Sequence, residues 1–408
     1  MSAPLRTARR ISLAVACLLA LPLPLGLFAG FHLHLSPFLT LQALLSLAPL
    51  SFFMIPAAVV LLLIFWKERW FCFHLCPTGE LCDTVSACRK EQRPWSTFPH
   101  VNKILVVSAL AAAACGAPIL ALIDPLSLFH SAWGPVHQGL TTPACLSAAG
   151  LVLLLLISLL FPRLWCARLC PLGGLQVLIA DIRRTLKRKP DKDAPSKPAI
   201  ADPVLGRRSL FAAIAGVAGG LMLRRAKGAE ESVLLRPPGA LPPNRFSTTC
   251  CRCGNCARVC PTKIIRPDCD LQDPLGLLTP KLDFSQAYCL PDCTACGQAC
   301  PTGAIAPFQV NEKKRLFIGT AVVDLDACVL LEGRECNRCV VSCAYEAVAV
   351  TDDLFEPEPE FDAQRCVGCG ACVAVCPGKA IEVVPVRASC STQRHGGDTK
   401  GTENDQSE

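Results

Sequence analysis

Charge is scarce in this chain, and signalling motifs are missing. Asp, Glu, Lys and Arg together make up 18% of the 408 residues. Kinase, nucleotide-binding and DNA-binding motifs are absent from the sequence, so a role as a redox sensor has no support. Apolar residues instead make up 51% of the chain, and the mean hydropathy is +0.40. This composition is too apolar for an ordinary soluble protein of this length.

The apolar excess is concentrated in four stretches long enough to cross a bilayer, which takes about 17 to 25 residues. These stretches are residues 11–31, 48–66, 103–123 and 145–162. The loops 32–47 and 124–144 contain no Lys or Arg, so by the positive-inside rule they face outwards. We therefore predict a four-span helical domain over residues 1–180 in a bacterial inner membrane. The net charge of +7 fits membrane orientation, and nucleic acid is not expected as a partner.

A short cysteine-containing unit occurs twice in this domain. "RWFCFHLCPTGEL" (69–81) and "RLWCARLCPLGGL" (163–175) align without gaps over two cysteines, a proline and a glycine. Chance rarely matches four such positions, so we interpret them as two copies of one unit. Each follows an even-numbered span, and its proline is expected to turn the chain along the cytoplasmic surface.

The two units together contribute four thiols. If the two hairpins pack as a symmetric pair, these thiols converge and can hold an iron-sulfur cluster or a single iron. A redox dithiol and plain packing are the alternatives. The cysteines concerned are Cys72, Cys76, Cys166 and Cys170.

A linker and a possible export signal follow the fourth stretch. Residues 181–206 are rich in Lys, Asp and Pro, as in a cytoplasmic linker. The segment 207–229 joins Arg207 and Arg208 to a Gly-rich apolar core, and it resembles a twin-arginine export signal that stays as an anchor. Its core is short for a span, at about 15 residues. A buried or interfacial helix is therefore the alternative.

Most of the 28 cysteines lie beyond residue 249, in four runs of four. Two runs have the x2, x2, x3 spacing of bacterial ferredoxins followed by Pro, and two are variants with a longer first gap. In the third run Ala344 replaces the proline. Zinc and disulfides are the competing interpretations, but the repeated spacing favours four [4Fe-4S] clusters. The runs are Cys250, Cys253, Cys256 and Cys260; Cys289, Cys293, Cys296 and Cys300; Cys328, Cys336, Cys339 and Cys343; Cys366, Cys369, Cys372 and Cys376.

Such runs share ligands between clusters. Three cysteines cap one cube, while the fourth ligates the cluster of a partner run. Strand-sized apolar pieces at 304–307, 347–350 and 380–384 follow the runs. We therefore predict an α+β polyferredoxin domain of ferredoxin-like modules over 241–386, stabilised largely by its metal. Residues 387–408 are expected to be a disordered polar tail.

Histidines occur in both uncharged loops, as His32, His34, His130 and His137. Quinol oxidation requires a base that accepts protons as electrons leave, and a histidine near the membrane surface suits that task. We predict His130 and His137 as a quinol site. A structural or solvated role is the alternative for each of them.

With these motifs, the chain resembles two families joined end to end. Residues 1 to about 180, with two Cys-x3-Cys-Pro units, look like the membrane part of the NapH and MauN type of ferredoxin, which is related to the NosR group. Residues 205 to 385, with the twin-arginine-like segment and the four runs, are similar to the NapG and MauM type of periplasmic ferredoxin. The two-cluster cytoplasmic ferredoxin of the NapH type is missing after the fourth span.

The resemblance implies an electron carrier, or a component of a quinol dehydrogenase, and not a stand-alone enzyme. Its membrane part would accept electrons from quinol, and its periplasmic clusters would pass them to a periplasmic oxidoreductase. The alternative is an accessory factor that matures a partner enzyme or keeps its cofactor reduced. A relay is needed at every turnover, whereas a maturation factor is needed only during assembly.

Overall fold

A computed structural model of the chain describes residues 3–21, 30–49, 54–88, 101–187, 207–226, 234–273, 275–331, 334–351 and 358–385. The predicted tail and most of the predicted linker lie outside these ranges. The chain divides into two compact units, one of residues 1–232 with 236–316 and one of residues 233–235 with 317–408. The first two cysteine runs therefore belong to the same unit as the N-terminal helices.

The N-terminal part of the first unit is helical throughout. Two short 3-10 helices (Phe31–Leu35 and Ile119–Ile123) and one π-helical turn (Trp165–Leu169) lie between its α-helices. The α-helices are α1 (Ala3–Ala20), α2 (Pro37–Leu45), α3 (Ile55–Trp66), α4 (Trp70–His74), α5 (Pro77–Ala87), α6 (Val101–Ala114), α7 (Pro125–Ser131), α8 (Gly134–Gln138), α9 (Thr142–Leu160), α10 (Pro171–Lys187) and α11 (Arg207–Ala226).

The sequence repeat is also a structural repeat. In each copy a long apolar helix, α3 or α9, ends just before an arginine in the left-handed conformation, Arg69 (φ 54°) or Arg163 (φ 61°). One helical turn follows, and then a cysteine at the N-cap with proline as the first helical residue. Proline suits that position because its fixed φ is helical and its missing N–H is not needed there.

A second pair of equivalent helix starts is found upstream of the two copies, one before each. Ser36 caps α2 and Asp124 caps α7, and each is followed by a proline. The Ser36 hydroxyl donates a hydrogen bond to Asp124 Oδ1 at 3.0 Å, and both residues are buried. Burial raises the pKa of Asp124 to about 6. The two halves of the helical part therefore meet at one buried polar contact.

Helix α9 is the only helix in the described ranges that is long and apolar enough to cross a membrane, with a mean hydropathy of 2.4. It coincides with the fourth predicted span, and Leu153 and Leu160 on it are exposed. The second and third stretches give shorter apolar helices, α3 and α6. Parts of the first and second stretches lie outside the described residues, so the four-span arrangement stays a prediction.

Helix α11 covers the twin-arginine-like segment and packs along α6. Its close side is glycine-rich: a Cβ on Gly216 would lie 2.3 Å from the Ser108 carbonyl oxygen. On its other side Phe211 and Met222 are largely exposed. The segment thus forms a helix with one packed face and one apolar outer face.

This close approach yields a prediction with an internal control. Gly216→Ala should force α11 away from α6 and lower the free energy of unfolding by about 1 to 3 kcal/mol, as overpacking does. Gly219→Ala has nothing within 4 Å of the added Cβ. It should be neutral, or stabilising by up to about 1 kcal/mol through helix propensity. Thermal unfolding in detergent measures both, and equal melting temperatures would contradict the packing.

The cysteine runs lie on loops between short helices and three two-stranded antiparallel sheets. Strand pairs are β1 (Ile265–Pro267) with β2 (Pro280–Leu282), β3 (Thr320–Val323) with β6 (Ile381–Val384), and β4 (Val348–Val350) with β5 (Pro359–Phe361). The helices are α12 (Pro243–Thr249), α13 (Asn255–Val259), α14 (Ala295–Gln298), α15 (Val310–Lys313), α16 (Arg338–Val341) and α17 (Ala371–Val375). The apolar pieces predicted at 347–350 and 380–384 form β4 and β6, whereas 304–307 forms a single bridge between Ala240 and Ile305.

Candidate metal centres

Four cavities, two in each unit, are each lined by four cysteines from the ferredoxin-type runs. In every case three come from one run and the fourth comes from another. The cavities contain Cys250, Cys253, Cys256 and Cys300 (first site); Cys289, Cys293, Cys296 and Cys260 (second site); Cys328, Cys336, Cys339 and Cys376 (third site); and Cys366, Cys369, Cys372 and Cys343 (fourth site). The first run is therefore exchanged with the second, and the third with the fourth.

Local backbone geometry explains how the exchange arises. In the first and fourth runs a glycine in the left-handed conformation, Gly254 or Gly370, starts the short helix that follows the first two cysteines. That helix, α13 or α17, advances the chain by about 8 Å, at a rise of 1.5 Å per residue. The last cysteine of the run follows the helix and therefore lies outside the site that the other three cysteines of the run line. Ala344 in place of proline does not prevent Cys343 from lining the fourth site.

Backbone N–H groups point at the exchanged sulfurs. Ile305 donates to Cys300 Sγ at 3.4 Å, Ala347 to Cys343 Sγ at 3.3 Å, and Ala380 to Cys376 Sγ at 3.3 Å. Such bonds stabilise negative charge on sulfur, as the thiolate ligands of an iron-sulfur cluster require.

The charge balance of the first site fits an iron-sulfur cluster. Burial raises the pKa of Cys250 to about 12. Burial, with neighbouring Cys250 and Cys300, raises the pKa of Cys256 well above its usual value. Four thiolates brought together there would repel one another unless cations neutralise them. Iron supplies that charge, and the donor set of four sulfurs is the one such clusters use.

The four cysteines of the repeated units line one further cavity, of about 350 Å³. Cys76 Sγ accepts a hydrogen bond from the Gly79 N–H at 3.3 Å, and Cys170 Sγ accepts one from the Gly173 N–H at 3.4 Å. Arg9, Arg69 and Arg163 line the same cavity. The predicted convergence of Cys72, Cys76, Cys166 and Cys170 is therefore seen in the fold.

The position of these cysteines differs from the expectation. Cys76 and Cys170 are only 5% and 6% exposed, and they lie inside the helical core instead of at a surface turn. The prolines do end the preceding turn, but α5 and α10 then run within the bundle. Polar groups of α5 are satisfied there, because Glu80 pairs with Arg9 at 3.2 Å.

Two residues that the sequence reasoning left unassigned contact cysteines of this cavity. Gln176 Nε2 donates to Cys72 Sγ at 2.9 Å, and Cys82 hydrogen-bonds Cys166. Each lies six positions after the second cysteine of one copy and contacts the first cysteine of the other copy. Extending the gapless alignment by a few residues would have shown that they are equivalent.

Across the described residues, no group of three or more His, Cys, Asp or Glu side chains is arranged to hold a single metal ion. The iron-sulfur cluster, the single iron and the redox dithiol at the bundle cysteines all stay predictions.

The predicted quinol histidines lie at the first site. His130 is buried and His137 is partly buried, and both line the cavity that contains Cys253. His137 Nε2 donates to the Ala20 carbonyl at 2.8 Å. Burial and Arg258 together lower the pKa of His130 well below its usual value. The structure brings these histidines to a ferredoxin-type site, and the quinol assignment stays a prediction.

Comparison with known families gives two matches. A family described as "4Fe-4S binding domain" matches residues 47–94 and 144–190, which contain the two Cys-x3-Cys-Pro units. A family described as "4Fe-4S dicluster domain" matches residues 332–380. No solved structure matches the chain.

Several curated proteins are similar over almost half of the chain. The chain is 32% identical to the methylamine utilization ferredoxin-type protein MauM of Methylobacillus flagellatus over 187 residues, 44% of this chain and 80% of MauM. It is 31% identical to the ferredoxin-type protein NapG of Escherichia coli over 208 residues, 46% of this chain and 88% of NapG. The ferredoxin-type protein NapF of Escherichia coli is 34% identical over 169 residues, 40% of this chain and 90% of NapF. From these matches and the ferredoxin-type cysteine runs, the chain belongs to the family of ferredoxin-type iron-sulfur proteins that includes MauM and NapG.

Proposed function

We propose that the chain is a membrane-bound iron-sulfur electron-transfer protein that relays electrons between the quinol pool and a periplasmic redox enzyme. The observation that carries this proposal is the placement of two ferredoxin-type sites in one compact unit with the helical part. An electron donor bound by the helices would then be close to an acceptor. The relatives are ferredoxin-type proteins, which supports electron transfer as the activity.

Four [4Fe-4S] clusters are proposed for the four exchanged cysteine sites. Each site supplies four sulfurs, and the spacing of the runs is that of bacterial ferredoxins. When bound, such clusters accept and donate one electron at a time. The chain's contribution is to hold the thiolates, to direct N–H groups at them and to exclude water.

A fifth centre is proposed at the bundle cysteines, where a redox dithiol is the alternative. Three observations support it: the cavity contains all four cysteines, the family match there is to a 4Fe-4S binding domain, and three arginines line the cavity. The arginines would offset the negative charge of four thiolates. On this proposal the chain joins a NapH or MauN type membrane part to a NapG or MauM type polyferredoxin.

The proposed location is the inner membrane, with the cluster domain in the periplasm. Helix α9 and the exposed apolar faces of α9 and α11 support a membrane association. Arg207 and Arg208 would direct export of the folded cluster domain, and α11 would remain as an anchor beside α6.

Right-side-out membrane vesicles test both the donor and the sidedness. A quinol analogue should bleach the visible absorbance of the clusters, and ferricyanide, which does not cross membranes, should restore it. Bleaching by dithionite but never by quinol would contradict the relay. In a variant with Arg207→Lys and Arg208→Lys, ferricyanide should instead act only in inverted vesicles. If ferricyanide acted only in inverted vesicles with the unchanged protein, the clusters would lie on the cytoplasmic side of the membrane.

A further inference from the structure

The first site carries an arginine inside its own run that the helical part of the same unit holds in place. Arg258 lies on α13, two residues after Cys256, and lines the first cavity. The equivalent residues of the other runs are Gln298, Val341 and Ala374. Cations lie at different positions near two other sites: Arg338 lines the third cavity but is exposed, and Lys313 lies beside Cys289 of the second site.

Arg258 has no carboxylate partner within salt-bridge distance among the described residues. It is partly buried, and although burial lowers its pKa to about 10, it remains charged at neutral pH. The negatively charged group that acts on Arg258 is the thiolate of Cys253. A cation in such surroundings stabilises the more negative, reduced form of a cluster.

The helical part holds Arg258 in place. Its Nη1 donates to His130 Nδ1 at 3.0 Å, and its Nη2 donates to the His130 carbonyl oxygen at 3.3 Å. Because the His130 imidazole is uncharged, it accepts this hydrogen bond without repelling the Arg258 guanidinium. The arginine of the first cysteine run is thus fixed by a residue 128 positions earlier in the chain.

Helix α7, which carries His130, also reaches the bundle cysteines. Pro125 at its start lines the four-cysteine cavity, and its carbonyl accepts a hydrogen bond from Thr78 at 2.7 Å. His130 lies five positions after Pro125, which corresponds to a rise of about 8 Å along the helix. One short helix therefore touches both candidate redox sites.

A continuous apolar core fills the space between the same two sites. Leu126 on α7 belongs to one buried cluster that also includes Cys76 and Cys170 of the bundle cavity and Cys251 and Cys253 of the first cavity. Close packing without intervening water favours electron transfer, since little has to reorganise around the moving charge.

We propose that electrons from the helical part enter the ferredoxin part at the first site, and that Arg258, held by His130, raises the reduction potential of this cluster. The proposal rests on the proposed function for the donor, which is a quinol. In the step itself one electron leaves the reduced bundle centre and one is gained at the first site. No bond forms, and Arg258 keeps its protons.

Redox titration of the full chain, purified anaerobically in detergent and followed by EPR, tests the proposal. The first cluster is identified as the signal altered in Cys250→Ala. Arg258→Gln should lower the midpoint of that cluster alone, and Arg258→Lys should largely restore it. Arg338→Gln is the matched control, because Arg338 is an exposed arginine beside the third site.

Each outcome decides the question. If Arg258→Gln fails to assemble the first cluster, Arg258→Met and His130→Ala provide the same comparison. A first-cluster midpoint that is unchanged in an assembled neutral variant overturns the proposal. In this titration mediators and dithionite set the potential, and quinol is not used. A failure of quinol as the donor in the vesicle experiment would therefore not change the result of the titration, and the two failures can be distinguished.

Discussion

Replacing Cys300 and Cys250 together by alanine should damage one cluster, whereas replacing Cys300 and Cys289 should damage two. The reason is the exchange of ligands: Cys300 lines the first site with Cys250, although it belongs to the run of Cys289. A cubane that loses a thiolate is expected to lose iron and to give the EPR signal of a three-iron cluster. Mössbauer spectroscopy of iron-57 enriched protein counts the intact cubanes in each double variant.

The control is a cysteine outside the four sites. Cys269 lines none of the four cysteine cavities, so Cys269→Ala should retain every cubane. The opposite pattern, two damaged clusters with Cys250 and one with Cys289, would mean that each run holds its own cluster. That result would overturn the exchanged arrangement while leaving the number of clusters unchanged.

Cys76→Ser and Cys170→Ser should each reduce quinol-linked reduction of the C-terminal clusters to background, while dithionite still reduces them. Both cysteines are buried and line the cavity of the bundle cysteines, which Pro125 at the start of α7 also lines. Removing either would break the path before the first ferredoxin-type site. Stopped-flow absorbance after mixing with a quinol analogue measures the rate, and iron content confirms that the other clusters are assembled.

An exposed cysteine of the same helical part serves for comparison. Cys145 lies at the start of α9 and lines none of the cavities described, so Cys145→Ser should react with quinol at the normal rate. Normal rates in both Cys76→Ser and Cys170→Ser would reduce the repeated unit to a packing element. The electron would then have to reach the first site by another route.

Sequence reasoning reached the cysteines that line the cavities because their spacing is local. Each run and each copy of Cys-x3-Cys-Pro can be read within 16 residues, and the convergence of the two copies follows from their internal symmetry. The pairing of the runs could not be read, since nothing in the spacing of one run indicates which other run receives its fourth cysteine. Arg258 was missed because its partner His130 is 128 residues away.

Hydropathy also gives no indication that α5 is buried. Helix α5 buries Thr78, Glu80 and Ser86, residues that a hydropathy profile assigns to the surface. They are tolerated because Glu80 pairs with Arg9, Thr78 bonds to Pro125, and Ser86 bonds to the Ser158 carbonyl. Partners from distant segments offset the cost of burial, and a window of neighbouring residues contains no information about them.

The exchange of ligands also has a consequence for biosynthesis. Filling the first site fixes Cys300 and so positions the loop of the second run, while filling the second site fixes Cys260 and positions the loop of the first. Each insertion therefore lowers the entropy that the other must overcome. Iron loading should be cooperative within each pair, and half-filled pairs should be rare during maturation. A cell that exports only folded chains would then export the molecules in which both pairs of clusters are complete and retain those with an incomplete pair.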